Sequence, residues 1–223
     1  MRINKYLSYL GVGSRRFVDC EIELGKIFVN GKKAVLGQDV SDLDLIKVGN
    51  KVITDNKPET TIFALNKPVG IISSAKDDLN RKTVVDFIKY NGRLYPVGRL
   101  DKNSSGLILL TNNGDLVNKF THPKYEVEKE YQVTTNRLIE NGKIEKLLAG
   151  IKYKGIDYKP DKITKIGFNR YQIVLHEGKN REIRKMLTAI GLEVVALKRV
   201  RIGKLELGDL EEGEFIQVNK KQI

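Results

Sequence analysis

A short polar segment that carries a proline, residues 55–59, separates two stretches of this chain with different patterns. Proline lacks a backbone donor and favours turns or extended chain, so such a segment is typical of a linker. Before it, apolar residues recur first at helical spacing and then in short runs; after it, strand and helix patterns are mixed. We therefore predict two domains, 1–56 and 61–223, joined by a linker at 57–60.

The first domain is predicted to contain two helices followed by short strands. Ser14 is a natural N-cap for the second helix, and Gly25 is placed to end it. The pair Asn30-Gly31 follows a strand pattern at 27–29 and predicts a tight turn.

Cations are spread over these elements of the first domain. Their side chains bind phosphate well, so two basic helices beside a basic hairpin would form a phosphate-binding face. The simpler interpretation is an ordinary charged surface, which spacing alone does not exclude. The candidate RNA-binding residues in this domain are Arg2, Lys5, Arg15, Arg16, Lys32 and Lys33.

The second domain combines strand and helix patterns. Apolar runs at 62–65 and 107–110 predict buried strands, and residues 83–90 predict a short helix. An apolar stripe at 183–190 predicts a further helix, which Asn180 would cap.

The net charge of the chain indicates what kind of partner it binds. It carries 40 Lys and Arg against 28 Asp and Glu, a net charge of +12. This excess favours an anionic partner, nucleic acid first and acidic membrane second, although a soluble basic protein would also fit.

One cysteine and two distant histidines predict neither an intrachain disulfide nor a zinc-type metal site. Without an apolar signal core or a membrane-length apolar run, we expect a cytoplasmic protein with no membrane partner.

Asp101 lies in a predicted loop between two core elements, with Arg99 and Lys102 beside it. Catalytic residues favour loops that a rigid scaffold holds, but most loop aspartates simply bind turn amides. Spacing alone would therefore favour a structural role for Asp101.

The segment 98–106, with the strand after it, resembles the signature motif of RNA pseudouridine synthases. Three more segments match in order, at 65–70, 129–131 and 177–186, so the resemblance covers most of 62–207. The similar branch is the bacterial RsuA family, which includes the large-subunit rRNA synthases B, E and F. The resemblance implies an α+β catalytic domain with a mixed, mainly antiparallel sheet.

The first domain resembles the S4 domain, a small helix-helix-strand module that recognises structured RNA. The likeness rests on segments 2–7, 13–16 and 25–32. It implies that this domain binds RNA and carries no chemistry of its own.

The resemblance assigns three catalytic roles. Asp101 would be the nucleophile, Tyr131 would lie against the target base, and Arg184 would pair with Asp101. The pairing is reasonable because burial alone raises the pKa of an aspartate, and a guanidinium that stays charged opposes this rise. Without the resemblance, Tyr131 could be a core strand residue and Arg184 part of a polar helix face. Uridine isomerisation involves no redox change and no hydrolysis, so we expect no cofactor and no metal.

A uridine inside folded RNA must be flipped out to reach Asp101, at a cost of a few kcal/mol. Polar and cationic side chains around the site would then hold the flanking phosphates. The candidates in the second domain are Lys67, Arg99, Lys179, Asn180 and Arg181.

The segment 180–184 is more similar to the large-subunit branch, so the predicted substrate is 23S rRNA, with 16S rRNA or tRNA as alternatives. We expect a monomer with an RNA partner and no DNA partner.

A retaining glycosidase would need a second carboxylate in a matching motif, which the chain lacks. The serious alternative is a non-catalytic RNA-binding or ribosome-assembly protein.

Overall fold

The computed structural model describes residues 1–54 and 58–223, and the chain divides into two compact units. The first comprises Met1–Thr60 with Asn91–Arg93, and the second comprises Thr61–Tyr90 with Leu94–Ile223. Residues 55–57 lie outside the described residues. They include the predicted end of the first domain, at residue 56, and most of the polar segment from which the linker was predicted. The linker at 57–60 therefore stays a prediction.

The first unit consists of two helices followed by an antiparallel sheet. Its elements are α1 (Ile3–Tyr9), α2 (Arg15–Glu23), β1 (Ile27–Val29), β2 (Lys32–Lys33), β3 (Ile46–Val48) and β4 (Lys51–Ile53). The strand order is β2-β1-β3-β4, and a buried cluster that includes Ile3 and Val18 forms the core. The Ser14 hydroxyl accepts a hydrogen bond from the Phe17 amide at 3.1 Å, which confirms the predicted cap. Asn30 and Gly31 both have positive φ, as the predicted tight turn requires.

The second unit is built around one large mixed sheet. Its helices are α3 (Gly114–Thr121), α4 (Asn141–Ala149) and α5 (Glu182–Ala189). Its strands are β5 (Ile62–Lys67), β6 (Tyr95–Val97), β7 (Ser105–Thr111), β8 (Lys129–Thr135), β9 (Ile151–Tyr153), β10 (Ile156–Tyr158), β11 (Lys162–Lys165), β12 (Arg170–Leu175), β13 (Val194–Ile202), β14 (Leu205–Glu206) and β15 (Phe215–Val218). The main sheet has the order β11-β12-β8-β13-β7-β5-β15, with β6 on β7 and β14 on β13. Only the β7–β13 pair among these described strands is parallel, which confirms the expected mainly antiparallel α+β fold.

Apolar residues cover both faces of the central strands. Every residue of β5 and β7 is buried, which confirms the two strands predicted from short apolar runs. Leu107 and Leu109 belong to one apolar cluster, whereas Ile108 and Leu110 belong to another. Alternate side chains of β7 therefore enter two separate cores, as expected for a strand that is covered on both faces.

The helix predicted over 83–90 is wrong in length and type, because only a single 3-10 turn forms, at Val84–Phe87. The Asp86 carboxylate accepts hydrogen bonds from the Thr83 amide at 2.7 Å and from the Thr83 hydroxyl at 3.1 Å. Ile88 already has extended backbone angles. The β-branched pair Val84 and Val85 favours a helix weakly, so the local cap fixes one turn and no more.

Within residues 1–54 and 58–223, no helix has both the length and the apolar character needed to cross a membrane.

Candidate active site

Asp101 lies on the wall of a cavity of about 260 Å³ in the second unit. The loop between β6 and β7 supplies Asp101 and Arg99, β8 supplies Tyr131, and the segment before α5 supplies Lys179 and Arg181. Apolar side chains from β12, α5 and β13 complete the lining. The Asp101 side chain is 31% exposed, so its carboxylate is open to the cavity.

Backbone hydrogen bonds hold the chain on both sides of Asp101. The Lys102 carbonyl accepts from the Gly70 amide at 2.7 Å, and the Asp101 carbonyl accepts from the Ser104 amide at 3.0 Å. The segment that follows β5 is thus tied to the loop that carries the carboxylate. Fixed backbone on each side restricts the directions in which the Asp101 side chain can point.

The direct pairing of Arg184 with Asp101 that we expected is wrong in this structure. The Arg184 guanidinium donates to the Asn103 carbonyl at 2.7 Å, to the Val194 carbonyl at 3.1 Å and to the Ser104 hydroxyl at 3.4 Å. Burial, followed by the nearby Arg181 charge, lowers the pKa of Arg184, and Asp101 opposes this shift. Arg184 therefore supports the loop that follows Asp101, because its Nη1 and Nη2 bind β13 and that loop, whereas its Nε is buried without a hydrogen-bond partner in the structure.

Arg181 is the arginine that approaches the carboxylate. Its Nη1 lies 3.7 Å from Asp101 Oδ2, and its side chain is 47% exposed. The Arg181 backbone has φ 52°, a left-handed conformation that non-glycine residues seldom adopt. Such conformations cluster at functional sites, where the surrounding structure holds them.

Asn180 does not cap α5, so that prediction is wrong. The helix begins one residue later than a cap at Asn180 would place it, and Arg181 occupies the N-cap position without a side-chain hydrogen bond. The buried Glu182 carboxylate instead accepts the Lys179 amide at 2.8 Å, and burial raises its pKa. The Asn180 side-chain oxygen accepts from Lys185 Nζ at 3.2 Å. The Glu182 carboxylate thus closes the turn that precedes α5.

Tyr131 is 9% exposed and is both a core residue and part of the cavity wall. It pairs with Ile173 on β12 and with Arg199 on β13 in the sheet register. Both interpretations of Tyr131 from the sequence are therefore compatible with its position. Strands on either side fix its backbone, so its ring has a defined place beside the cavity.

Lys67 cannot contact the flanking phosphates, which corrects its place among the RNA-binding candidates. Its side chain is fully buried and donates to the carbonyls of Pro68 at 2.7 Å and Ile71 at 3.0 Å. Burial lowers its pKa to about 8, although the nearby Asp101 charge opposes this shift. Lys67 thus holds the segment that begins after β5.

The remaining candidates divide between the two units. Arg99, Lys179 and Asn180 line the cavity with exposed side chains. Lys179 Nζ lies 2.5 Å from a Glu177 oxygen, and this contact raises the pKa of Lys179. In the first unit, Arg2 donates to the Gly37 carbonyl and lies 3.4 Å from Asp39. The other first-unit candidates comprise one half-buried residue, Lys5, and four exposed residues, Arg15, Arg16, Lys32 and Lys33.

Arg199 is a buried residue of this region that the sequence patterns missed. It is 4% exposed, its Nε donates to the Leu107 carbonyl at 2.7 Å, and its Nη2 is buried without a hydrogen-bond partner in the structure. Arg199 stands two residues after the buried Leu197 on β13. Alternation along that strand could have placed both side chains on the same face. Ser73 and Glu182 were also missed, because their partners are backbone groups that no motif specifies.

Over the described part of the chain, no three His, Cys, Asp or Glu side chains converge where they could hold a metal ion.

Comparisons with known proteins show the family to which the chain belongs. The family described as RNA pseudouridylate synthase matches residues 61–189. Dual-specificity RNA pseudouridine synthase RluF of Escherichia coli (strain K12) is 42% identical over 100% of this chain and 77% of its own length. Ribosomal large subunit pseudouridine synthase B of Bacillus subtilis (strain 168) is 38% identical over 100% of this chain and 93% of its own length. A crystal structure of a pseudouridylate synthase superimposes with a TM-score of 0.73 at 29% identity, covering 100% of this chain and 97% of that one. The chain belongs to the RNA pseudouridylate synthase family.

Proposed function

We propose that this enzyme isomerises a uridine of large-subunit ribosomal RNA to pseudouridine, with Asp101 as the nucleophile. The observation that carries the assignment is an open carboxylate in a small cavity, on a loop that hydrogen bonds hold on both sides. The cavity, of about 260 Å³, opens beside this carboxylate, where a flipped base would have to lie. The relative named as a large-subunit synthase supports the choice of RNA.

The reaction needs an ionised carboxylate and a confined base. The Asp101 carboxylate forms a transient bond to the flipped nucleotide, the bond between C1′ and N1 breaks, and the detached uracil turns inside the cavity. C5 then joins C1′, the bond to Asp101 breaks and regenerates the carboxylate, the hydrogen on C5 leaves as a proton, and N1 gains a proton. Atoms and electrons balance without an oxidant or a reductant, so the reaction requires no cofactor. Tyr131 lies beside the base and serves the proton transfer, while Arg181 balances the Asp101 charge.

The first unit acts in the same proposal as an S4-type RNA-binding domain. Its two helices and hairpin follow the pattern of that module, and exposed cations lie at Arg15, Arg16, Lys32 and Lys33. The net charge of +12 favours a polyanionic partner, and the enzyme would act in the cytoplasm as a monomer.

Release of tritium from C5 of uridine tests the reaction. Ribosomal RNA carrying tritium at uridine C5, from cells that lack this protein, is incubated with wild type and with Asp101→Asn. The matched control is Asp209→Asn, an exposed carboxylate that is not among the described residues lining the cavity. We expect release with wild type and with Asp209→Asn. We expect none with Asp101→Asn, although this variant should still bind RNA.

The RNA that loses tritium identifies the substrate. Release from large-subunit RNA alone supports the proposed substrate, and mapping the product then gives the uridine. Release only from small-subunit RNA or tRNA moves the assignment to those molecules. Tight binding with no release from any of them would favour the non-catalytic assembly role.

A further inference from the structure

One buried hydroxyl binds both backbone groups of the residue before Asp101. Ser73 is 7% exposed, and its Oγ donates to the Leu100 carbonyl at 2.9 Å and accepts from the Leu100 amide at 3.0 Å. The two residues are 27 positions apart, so this contact joins separate parts of the chain. Ser73 itself lines a second cavity, of about 590 Å³, beside the Asp101 loop.

The segment that carries Ser73 is held firmly. Its neighbour Ile72 accepts the Val84 amide at 3.0 Å and pairs with Thr83 as an isolated β-bridge. Lys67 binds the carbonyls of Pro68 and Ile71 at the start of the same segment. Ser73 therefore connects the Asp101 loop to backbone that is fixed on the N-terminal side of the hydroxyl.

We propose that Ser73 is a positioning residue for the reaction at Asp101, an inference that rests on the proposed function. Ser73 does not touch the nucleotide and takes no proton; it acts by fixing Leu100 and hence the direction of the next side chain. Leu100 is only 6% exposed, so loss of the hydroxyl leaves a buried N–H and a buried C=O without partners. The loop then shifts to satisfy them. A displacement of about 1 Å at a reacting group can lower the rate about 100-fold.

The sharpest test compares Ser73→Thr with Ser73→Val. The two replacements have almost the same shape, but only threonine keeps the hydroxyl. The neighbouring Ser74→Ala is the matched control, because the Ser74 hydroxyl binds the Lys76 carbonyl at 2.6 Å. Tritium release gives kcat and KM, and RNA affinity is measured separately in the Asp101→Asn background.

We expect Ser73→Val to lower kcat about 10- to 100-fold with KM changed less than about threefold. Ser73→Thr and Ser74→Ala should keep kcat within about threefold of wild type, and RNA affinity should be unchanged throughout. If Ser73→Val does not fold, Ser73→Ala replaces it, because a smaller side chain cannot overpack the site.

Two results would overturn the role of Ser73. One is a wild-type kcat in the variants that lack the hydroxyl. The other is loss of RNA affinity together with kcat in Ser73→Thr and Ser73→Val alike, which indicates a merely structural residue. Wild-type enzyme that releases no tritium overturns the proposed function and this inference together, whereas active wild type with fully active Ser73→Val overturns only the inference.

Discussion

Exposed cations of the first unit and two buried cations of the second unit have opposite environments. In the first unit, Arg15 and Arg16 are exposed on α2, where a polyanion can reach them. In the second unit, Lys67 and Arg199 are buried, and both donate to backbone carbonyls. Similar side chains would thus serve two purposes: we expect the exposed cations to attract RNA, whereas the buried cations bind backbone carbonyls of the second unit. Neither charge nor residue type distinguishes the two groups, so burial decides.

The largest effect should follow from forcing apart the paired strands β7 and β13. A Cβ on Gly106 of β7 would lie 2.2 Å from the Arg199 carbonyl oxygen and 2.6 Å from its amide nitrogen, and Gly106 has φ +102°. Both contacts are with backbone, so no side chain can move aside. We expect Gly106→Ala to lower the free energy of unfolding by about 4 kcal/mol or more, measured by urea titration.

Gly114→Ala is the control for that substitution, because a Cβ there meets nothing within 4 Å. Gly114 is the first residue of α3, where alanine is well tolerated. A loss below about 1 kcal/mol in Gly106→Ala would show that the close approach of β7 to β13 is not needed for stability.

The buried amine of Lys67 should make stability depend on pH. Its pKa falls from 10.5 to about 8 in the folded chain, mainly because of burial. Below pH 8 the Lys67 amine is protonated in both the folded and the unfolded chain. Burial of its charge then lowers the free energy of unfolding by the full amount. Between pH 8 and 10.5 the unfolded chain binds more protons, so the Lys67 contribution to the free energy of unfolding rises with pH.

Lys67→Met isolates this contribution. The free energy of unfolding of wild type minus that of the variant should increase by about 2 kcal/mol between pH 7.5 and 9.5. Lys76→Met, at a side chain that is 87% exposed, should show no such increase. If the free energy of unfolding of wild type minus that of Lys67→Met stays constant or falls as the pH rises, the Lys67 amine is effectively hydrated in the folded protein.

The two arginines near Asp101, one exposed and one half-buried, allow the same comparison. Arg184 donates to the Asn103 and Val194 carbonyls, whereas Arg181 forms a half-exposed ion pair with Asp101. We expect Arg184→Leu to lower kcat about 10- to 100-fold, because the loop after Asp101 loses its support. Arg181→Leu should lower kcat less than about fivefold, since exposed ion pairs contribute under about 1 kcal/mol. A larger loss in Arg181→Leu, measured by tritium release at saturating RNA, would make the ion pair the dominant effect.

Local features of the fold could be predicted from the sequence, whereas the partners around the site could not. The Ser14 cap and the Asn30-Gly31 turn depend on residues within one turn of the chain, and both were predicted. The burial of Lys67 and the partners of Arg184 depend on how distant strands pair. Motif resemblance identified Asp101 as the centre of the site, but it did not show that Arg184 binds backbone carbonyls.

The smallest effect should come from the exposed cations of the first unit. Replacing both Arg15 and Arg16 by alanine removes two charges from the exposed surface of α2. RNA binding should weaken by about 1 kcal/mol, or fivefold, and the slope of log K against log salt should fall by about 2. The kcat at saturating RNA and the melting temperature should stay unchanged, because both side chains are exposed and neither belongs to the unit that carries Asp101.

Lys26→Ala is the matched control for the double variant, because Lys26 Nζ lies 3.1 Å from a Glu21 oxygen, which already offsets its charge. Its salt slope should differ from that of wild type by less than about 1. An Arg15→Ala/Arg16→Ala variant with an unchanged slope would show that the α2 surface does not meet the RNA. Loss of kcat at saturating RNA in that variant would instead show that exposed cations also act on the chemical step, and the division between the two groups of cations would then fail.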